Sequence, residues 1–331
     1  MTMEHFFALA TPLEIRMMLR GFIPIVMILI IGIFIGRWDN SKHQQTLNKL
    51  TDYIFLPCLA FSAIHKHAFD PVEIFSIGAA VLMIMVGMTV VSFFTLRDKV
   101  RGCSGNLLAS VYMSSGSLLP PLAFVLFGYE GLAKAIYFHL FVTIFYYTAG
   151  RWMVSGRADF KSFFKTPLFH LIILGIAARN FPFSLSDNIQ ELSWLLEKGI
   201  HLTAMGSLPL LIISFGYPLG LLKRSDANGG FVGGALRIVA GPLVALLVVC
   251  LYRMTGLTSM ERGYDVLGYL DYRTTEALLL LGAAMPSSHR VICLAGDAGK
   301  AERGTILVSV TGAVITIPIV LLYILMYIFE E

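Results

Sequence analysis

Apolar runs long enough to cross a bilayer recur from one end of this chain to the other, and that constrains its fold more than any motif does. Between polar punctuation they place helices near residues 19–37, 49–66, 72–96, 105–128, 130–151, 166–181, 196–222, 231–253, 275–296 and 303–329. A spanning helix needs roughly 20 residues, so ten would use ~200 and leave ~130 for nine connections and two tails. No room remains for a large soluble domain. Only 14% of the 331 residues are charged, against about 25% in soluble domains, and the mean hydropathy of +0.75 is spread over the chain rather than held in one anchor. Lipid satisfies no backbone hydrogen bonds, so the expectation is an all-α polytopic membrane protein.

The basic residues set an orientation. Five alternate connections carry Arg37, Lys42 and Lys49; Arg97, Lys99 and Arg101; Arg151, Arg157, Lys161 and Lys165; Lys223, Arg224 and Arg237; and Lys300 and Arg303, which is 15 of 25. That bias puts these loops in the cytoplasm and both termini outside, in a plasma or inner membrane. Trp38, Trp152 and Trp194 fall at expected helix ends, where amphipathic rings favour the interface. The net charge of +4 is scattered, so no nucleic-acid surface is expected. Cys58, Cys103, Cys250 and Cys293 lie in or beside apolar runs without metal or disulfide spacing, and read as small packing residues. Glu4 and Glu14 argue against a removable signal peptide.

Five helices per half is odd, so a duplicated chain would carry its second half inverted. The segments are then a tail over 1–18, a first five-helix repeat over 19–151, a cytoplasmic linker over 152–165 and a second repeat over 166–331. Leu56-Pro57-Cys58-Leu59-Ala60-Phe61-Ser62 and Leu208-Pro209-Leu210-Leu211-Ile212-Ile213-Ser214 share L-P-x-L-x-x-S at the second helix of each half. The fourth helices both carry breakers: Ser114-Ser115-Gly116-Ser117-Leu118-Leu119-Pro120-Pro121 in one, Gly282-Ala283-Ala284-Met285-Pro286-Ser287-Ser288-His289-Arg290 in the other. Proline frees backbone groups that lipid cannot satisfy. Matched interruptions in two halves are the sequence pointer to a carrier site where broken helices cross at the midplane. A simple kink repaired by hydroxyls is the other reading of each proline.

Further stretches carry a resemblance. Asn48-Lys49-Leu50 leads into Leu56-Pro57 and Phe61; Phe127-Gly128-Tyr129-Glu130-Gly131 follows the first break; Pro209 precedes Gly216; Ala283-Ala284-Met285-Pro286 forms the second break; and Val310 to Pro318 lies in the last helix. In these stretches, in order over nearly the whole length, the chain resembles the auxin efflux carrier family of the bile acid/sodium symporter-like superfamily. The resemblance implies two inverted five-helix repeats with broken crossover helices 4 and 9, a scaffold and a transport part, and alternating access for a small organic anion. The sequence departs from the family at Ser114, where members often have Asn, and at Ser287-Ser288-His289-Arg290, where small or amide residues are usual.

The candidate substrate-binding residues are Ser114, Ser115, Ser117, Pro120, Pro121, Pro286, Ser287, Ser288, His289 and Arg290. Arg290 lies four residues past Pro286, about 6 Å along a helix. It either offers a planar fork to a carboxylate or snorkels to the cytoplasmic interface. His289 is a candidate proton-linked switch, with a packing role as the other reading. Asp52, in an early turn of the second helix, is either a helix-dipole partner or a coupling group. His139, His170 and His201 occur singly, and each reads as a satisfied helix contact or, alternatively, as a substrate ligand. His65-Lys66-His67, in an outer loop, makes a poor metal site. Asn228-Gly229-Gly230 with Gly233-Gly234 lacks a phosphate-loop Lys and reads as a flexible cytoplasmic connection.

Enzyme readings fail on missing groups. No histidine follows His289, so lipid-phosphatase chemistry lacks its second histidine, and Ser114-Ser115-Gly116-Ser117 is preceded by Met113 and lacks the G-x-S-G nucleophile turn of an intramembrane protease. The expectation is a secondary or potential-driven carrier of a small mono- or dicarboxylate, auxin-like or malate/malonate-like, working in efflux. It needs no cofactor and no metal, and leaves the coupling ion open between H+ and Na+. Its partners are substrate and membrane lipids, with a homodimer allowed. The rivals are a non-transporting sensor that binds a lipid or metabolite, and a sodium-coupled organic anion symporter.

Overall fold

The computed structural model describes residues 12–40, 42–67, 71–96, 104–180, 187–255, 272–291 and 300–327. Residues 1–11, most of the tail bearing the signal-peptide question, lie outside that range, as do Cys103 and Cys293. Among the described residues the regular structure is helical apart from one isolated antiparallel bridge. In chain order the helices are α1 (Pro12–Trp38), α2 (Gln44–Leu50), α3 (Leu56–Lys66), α4 (Pro71–Leu96), α5 (Ser104–Val111), α6 (Leu119–Phe145), α7 (Arg151–Ser155), α8 (Phe160–Phe164), α9 (Pro167–Asn180), α10 (Asp187–Leu219), α11 (Ala227–Thr255), α12 (Tyr272–Ala284) and α13 (Lys300–Tyr327). Short π-helical stretches, Thr51–Phe55 and Tyr146–Gly150, join α2 to α3 and α6 to α7.

Among the described residues, six helical stretches are long and apolar enough to cross a membrane: Gly21–Trp38, Pro71–Leu96, Leu119–Met153, Ser193–Leu219, Arg224–Thr255 and Ala301–Met326. Large apolar side chains such as Phe34, Phe75, Leu202 and Met254 stand outward from them. In water each would forfeit about 1.5–3 kcal/mol of burial, whereas against lipid tails the exposure costs nothing. The Leu119–Met153 stretch would be about 50 Å long as one rod, well beyond a ~30 Å hydrocarbon core. It is broken at Gly128, whose φ of 63° and ψ of −147° belong to glycine alone. A methyl there would meet no atom, so backbone conformation and not space demands the glycine.

The chain forms two compact units, each collecting segments from both halves of the sequence. One comprises residues 28–75 and 115–222. Here the later part of α1 lies on α10 through two G-x-x-x-G stripes, Gly32 with Gly36 and Gly216 with Gly220. A methyl on Gly32 would sit 2.7 Å from the Ile213 carbonyl oxygen, and one on Gly216 2.6 Å from that of Leu29. Such backbone-to-backbone approach is how apolar helices associate where lipid removes the hydrophobic drive.

The other unit comprises residues 1–27, 76–114 and 223–331. Its main contact sets α11 along α13 through Gly230, Gly233, Gly234 and Gly304. The glycine run read from sequence as a flexible connection is therefore the opening turns of α11, packed on a neighbouring helix. Without Cβ atoms the two backbones come close enough for Thr305 Oγ1 to lie 3.1 Å from the Gly230 carbonyl oxygen. That packing offsets the ~1 kcal/mol each glycine costs a helix.

Four further expectations are corrected. His65 and Lys66 end α3 and His67 caps it, so the trio is not a loop. Trp194 sits about two turns inside α10, which starts at Asp187 and not near 196. Asp52 lies in the π-helical stretch two turns past the start of α2, too far in to serve the helix amino end. Arg237, counted among the loop residues, lies inside α11 and is completely buried.

Candidate functional site

Both expected breaks are present. In the unit of 76–114 and 223–331, α5 stops at Val111 and α12 at Ala284. A helix leaves its last four carbonyls without intrahelical partners, and Pro286 has no N–H to donate. The two interrupted segments satisfy one another. The Ser114 N–H donates to the Pro286 carbonyl at 2.8 Å, and the Ser288 N–H to the Tyr112 carbonyl at 2.9 Å. This is a two-residue antiparallel bridge centred on Met113 and Ser287. The Ser287 N–H donates to Ser309 Oγ of α13 at 3.0 Å, which ties the bridge to a third helix.

The remaining carbonyls meet Arg237. Its Nε donates to the Met285 carbonyl at 3.1 Å, Nη1 to Val111 at 3.1 Å, and Nη2 to Ala283 at 2.5 Å and to Met113 Sδ at 3.6 Å. Four of the five guanidinium N–H groups are thus engaged. Ionised groups buried without such partners cost several kcal/mol. Gly241, one turn further along α11, makes the approach possible, since a methyl there would lie 2.5 Å from the Ala283 oxygen. Sequence reasoning missed this residue although a signal existed. Arg237 lies ten residues into α11, about 15 Å from its start, and a lone ionisable residue at that depth of an apolar run is a functional candidate by default.

Around the bridge the candidate side chains are enclosed. Ser114 and Ser287 are 2% and 0% exposed, and neither hydroxyl has a hydrogen-bond partner in the protein. An unpaired buried hydroxyl costs about 1–3 kcal/mol, which marks both as sites where a ligand could be held. His289 is buried and Ser288 and Arg290 are half-buried, with the Arg290 N–H reaching Ser288 Oγ at 3.3 Å. The structure thus gathers Ser114, Pro286, Ser287 and Ser288 on one bridge, with His289 and Arg290 in the turn that follows.

Ser115, Ser117, Pro120 and Pro121 belong to the other unit, and all four are buried. There Ser115 Oγ lies 2.9 Å from His139 Nδ1 on α6. Thr143 spends its proton on the His139 carbonyl at 2.8 Å. Thr143 Oγ1 also lies 3.4 Å from His139 Nε2. Gly116 lies flat against this ring, 2.6 Å from Cε1 to where a methyl would be. Pro120 and Pro121 open α6, where a missing N–H costs least.

Two polar clusters of the same unit lie beyond these residues. Lys134, 2% exposed, places Nζ 3.0 Å from Glu73 and 2.6 Å from Glu130. His201 takes the Lys66 ammonium at Nε2, 3.2 Å away, and lies 3.0 Å from Ser62 Oγ through Nδ1. Lys66 also donates to the Tyr129 hydroxyl at 3.1 Å. This cluster borders a cavity of about 10 Å³ lined by Phe61, Ser62, His65, Lys66, Glu197, Ile200 and His201, room for one water. Among the described residues no group of three His, Cys, Asp or Glu could hold a metal.

The fold and its interior define a polytopic helical membrane protein whose broken segments are closed on one another by backbone pairing. No family model matches the chain. It is similar to an uncharacterized transporter of Methanocaldococcus jannaschii, with 27% identity over 259 residues, covering 70% of this chain and 80% of the relative. It is also similar to an uncharacterized transporter of Methanothermobacter thermautotrophicus, with 27% identity over 236 residues, 66% of this chain and 73% of that protein.

Proposed function

We propose that this protein is a secondary or potential-driven carrier of a small organic anion. The observation that carries the reading is the bridge between the two interrupted segments, with the buried, unpartnered hydroxyls of Ser114 and Ser287 beside it and Arg290 one turn on. Its interrupted helices supply what transporters of this type use, broken segments with small hydroxyl side chains beside them. Relatives described as transporters support the same class. A carboxylate is the ligand class proposed, since hydroxyls and a planar guanidinium both donate to its oxygens. The wider reading is ten spans in two inverted five-helix repeats, crossing at the breaks, in the plasma membrane with both termini outside. Coupling through Asp52 or His289 belongs to the same proposal.

A cytoplasm-negative potential drives a monovalent anion outward by about 2.3 kcal/mol per 100 mV for full transfer. Efflux therefore needs no coupling ion, whereas uptake does. The test is flux of radiolabelled mono- and dicarboxylates in proteoliposomes under imposed potentials and ion gradients. The expected result is saturable, potential-dependent flux that Ser114→Ala with Ser287→Ala weakens. Absence of substrate-dependent flux for every carboxylate under every gradient would overturn the proposal.

A further inference from the structure

We infer that Arg237 is a built-in counter-cation for the two interrupted helices, filling a carbonyl-lined position that becomes a binding site for a small monovalent cation once its guanidinium is removed. The carbonyls of Val111, at the end of α5, and of Ala283 and Met285, at the end of α12, converge on one group from two directions. A helix carboxyl end carries roughly half a negative charge. Two such ends together balance the single positive charge of one guanidinium. Arg237 is 0% exposed, and among the described residues it forms no ion pair with a carboxylate. The carbonyl dipoles are therefore what its charge answers. Unwound carbonyls and half-helix carboxyl ends are also the donor set that coordinates diffusible cations in membrane carriers. Here the protein supplies that charge covalently, on α11, and Gly241 leaves the room for it.

The inference stands on this geometry and not on the transport reading, so its test needs no substrate. Thermal unfolding of the purified full chain in detergent is followed at matched ionic strength in sodium, potassium or choline chloride, with and without millimolar guanidinium chloride. The wild type is expected to melt at one temperature in all of them. Arg237→Ala is expected to melt lower, by on the order of 10 °C, and to recover saturably with guanidinium and to a smaller degree with sodium or potassium, as ligand binding requires. Arg237→Met, which fills the space with an apolar chain, is expected to fall without recovering. An alanine variant as stable as the wild type, or an equal response to guanidinium in all three proteins, would overturn the inference. If the alanine variant does not accumulate, Arg237→Lys and Arg237→Gln decide. Lysine keeps the charge and glutamine only a donor, so a lysine variant that melts above the glutamine variant supports the counter-cation, and the reverse order or equality refutes it.

Discussion

Lys134 offers the sharpest energetic test, because it is buried between two acids that remain behind if it is removed. Its ammonium lies 3.0 Å from Glu73 and 2.6 Å from Glu130, and the three side chains are 2%, 9% and 30% exposed. At an effective dielectric of ~20 each contact is worth roughly 5–6 kcal/mol of gross attraction. Desolvation of the three groups cancels most of it, and water screens the Glu130 contact more than the Glu73 one. What does not cancel is the effect of deleting one partner. Lys134→Met keeps a flexible chain of similar length and leaves two facing carboxylates with no cation, a change that typically costs 3–5 kcal/mol. Adding Glu73→Gln and Glu130→Gln removes the stranded charges, so the triple variant should recover most of that loss. Unfolding in mixed detergent micelles, followed by tryptophan fluorescence, measures both. A single variant that loses less than about 1 kcal/mol, or a triple variant no more stable than the single, would refute the reasoning.

Two further outcomes follow from named contacts. Gly230→Ala puts a methyl against the backbone of Ala301, Gly304 and Thr305, so α11 and α13 must part. The expected loss is about 1–3 kcal/mol or more by overpacking, read as a lower melting temperature, with Gly199→Ala inside α10, whose methyl meets nothing, as the control that should hold its melting temperature or gain up to ~1 kcal/mol. The Tyr217 hydroxyl, and after it His43, hold the Asp39 carboxyl below its usual range. A depressed carboxylate contributes stability that is present above its unfolded value of about 3.9 and lost as pH falls through the folded one. Tyr217→Phe should therefore flatten the acid limb of the melting-temperature profile, and an unchanged limb would contradict the assignment.

Hydropathy made the membrane class and most helix positions legible. Eight of the expected runs have a helix at or near the expected residues, while near 105–128 and 275–296 the helix stops at Val111 and at Ala284. The errors share a cause. Gly229, Gly230, Gly233 and Gly234 looked like a loop because glycine opposes helices locally, and only the close backbone of α13 reverses that preference. Arg237 reads as a loop residue because a charge in an apolar run is costly until its partners are known, and one of those partners lies 126 residues away at Val111; the role of Lys134 leaves no trace in the sequence because its partner Glu73 lies 61 residues away. The proline-bearing breaks, by contrast, were readable from proline's missing amide.

What the sequence determined by itself is therefore what acts through solvent and local backbone chemistry: a bilayer environment, long apolar runs that satisfy their own backbone there as helices, and the two proline-bearing places where they break. What only the tertiary structure decided is how the broken backbone is satisfied. The bridge between Met113 and Ser287 and the guanidinium of Arg237 join segments far apart in the chain, and hydrogen bonds of a few ångströms leave no periodic trace in a sequence.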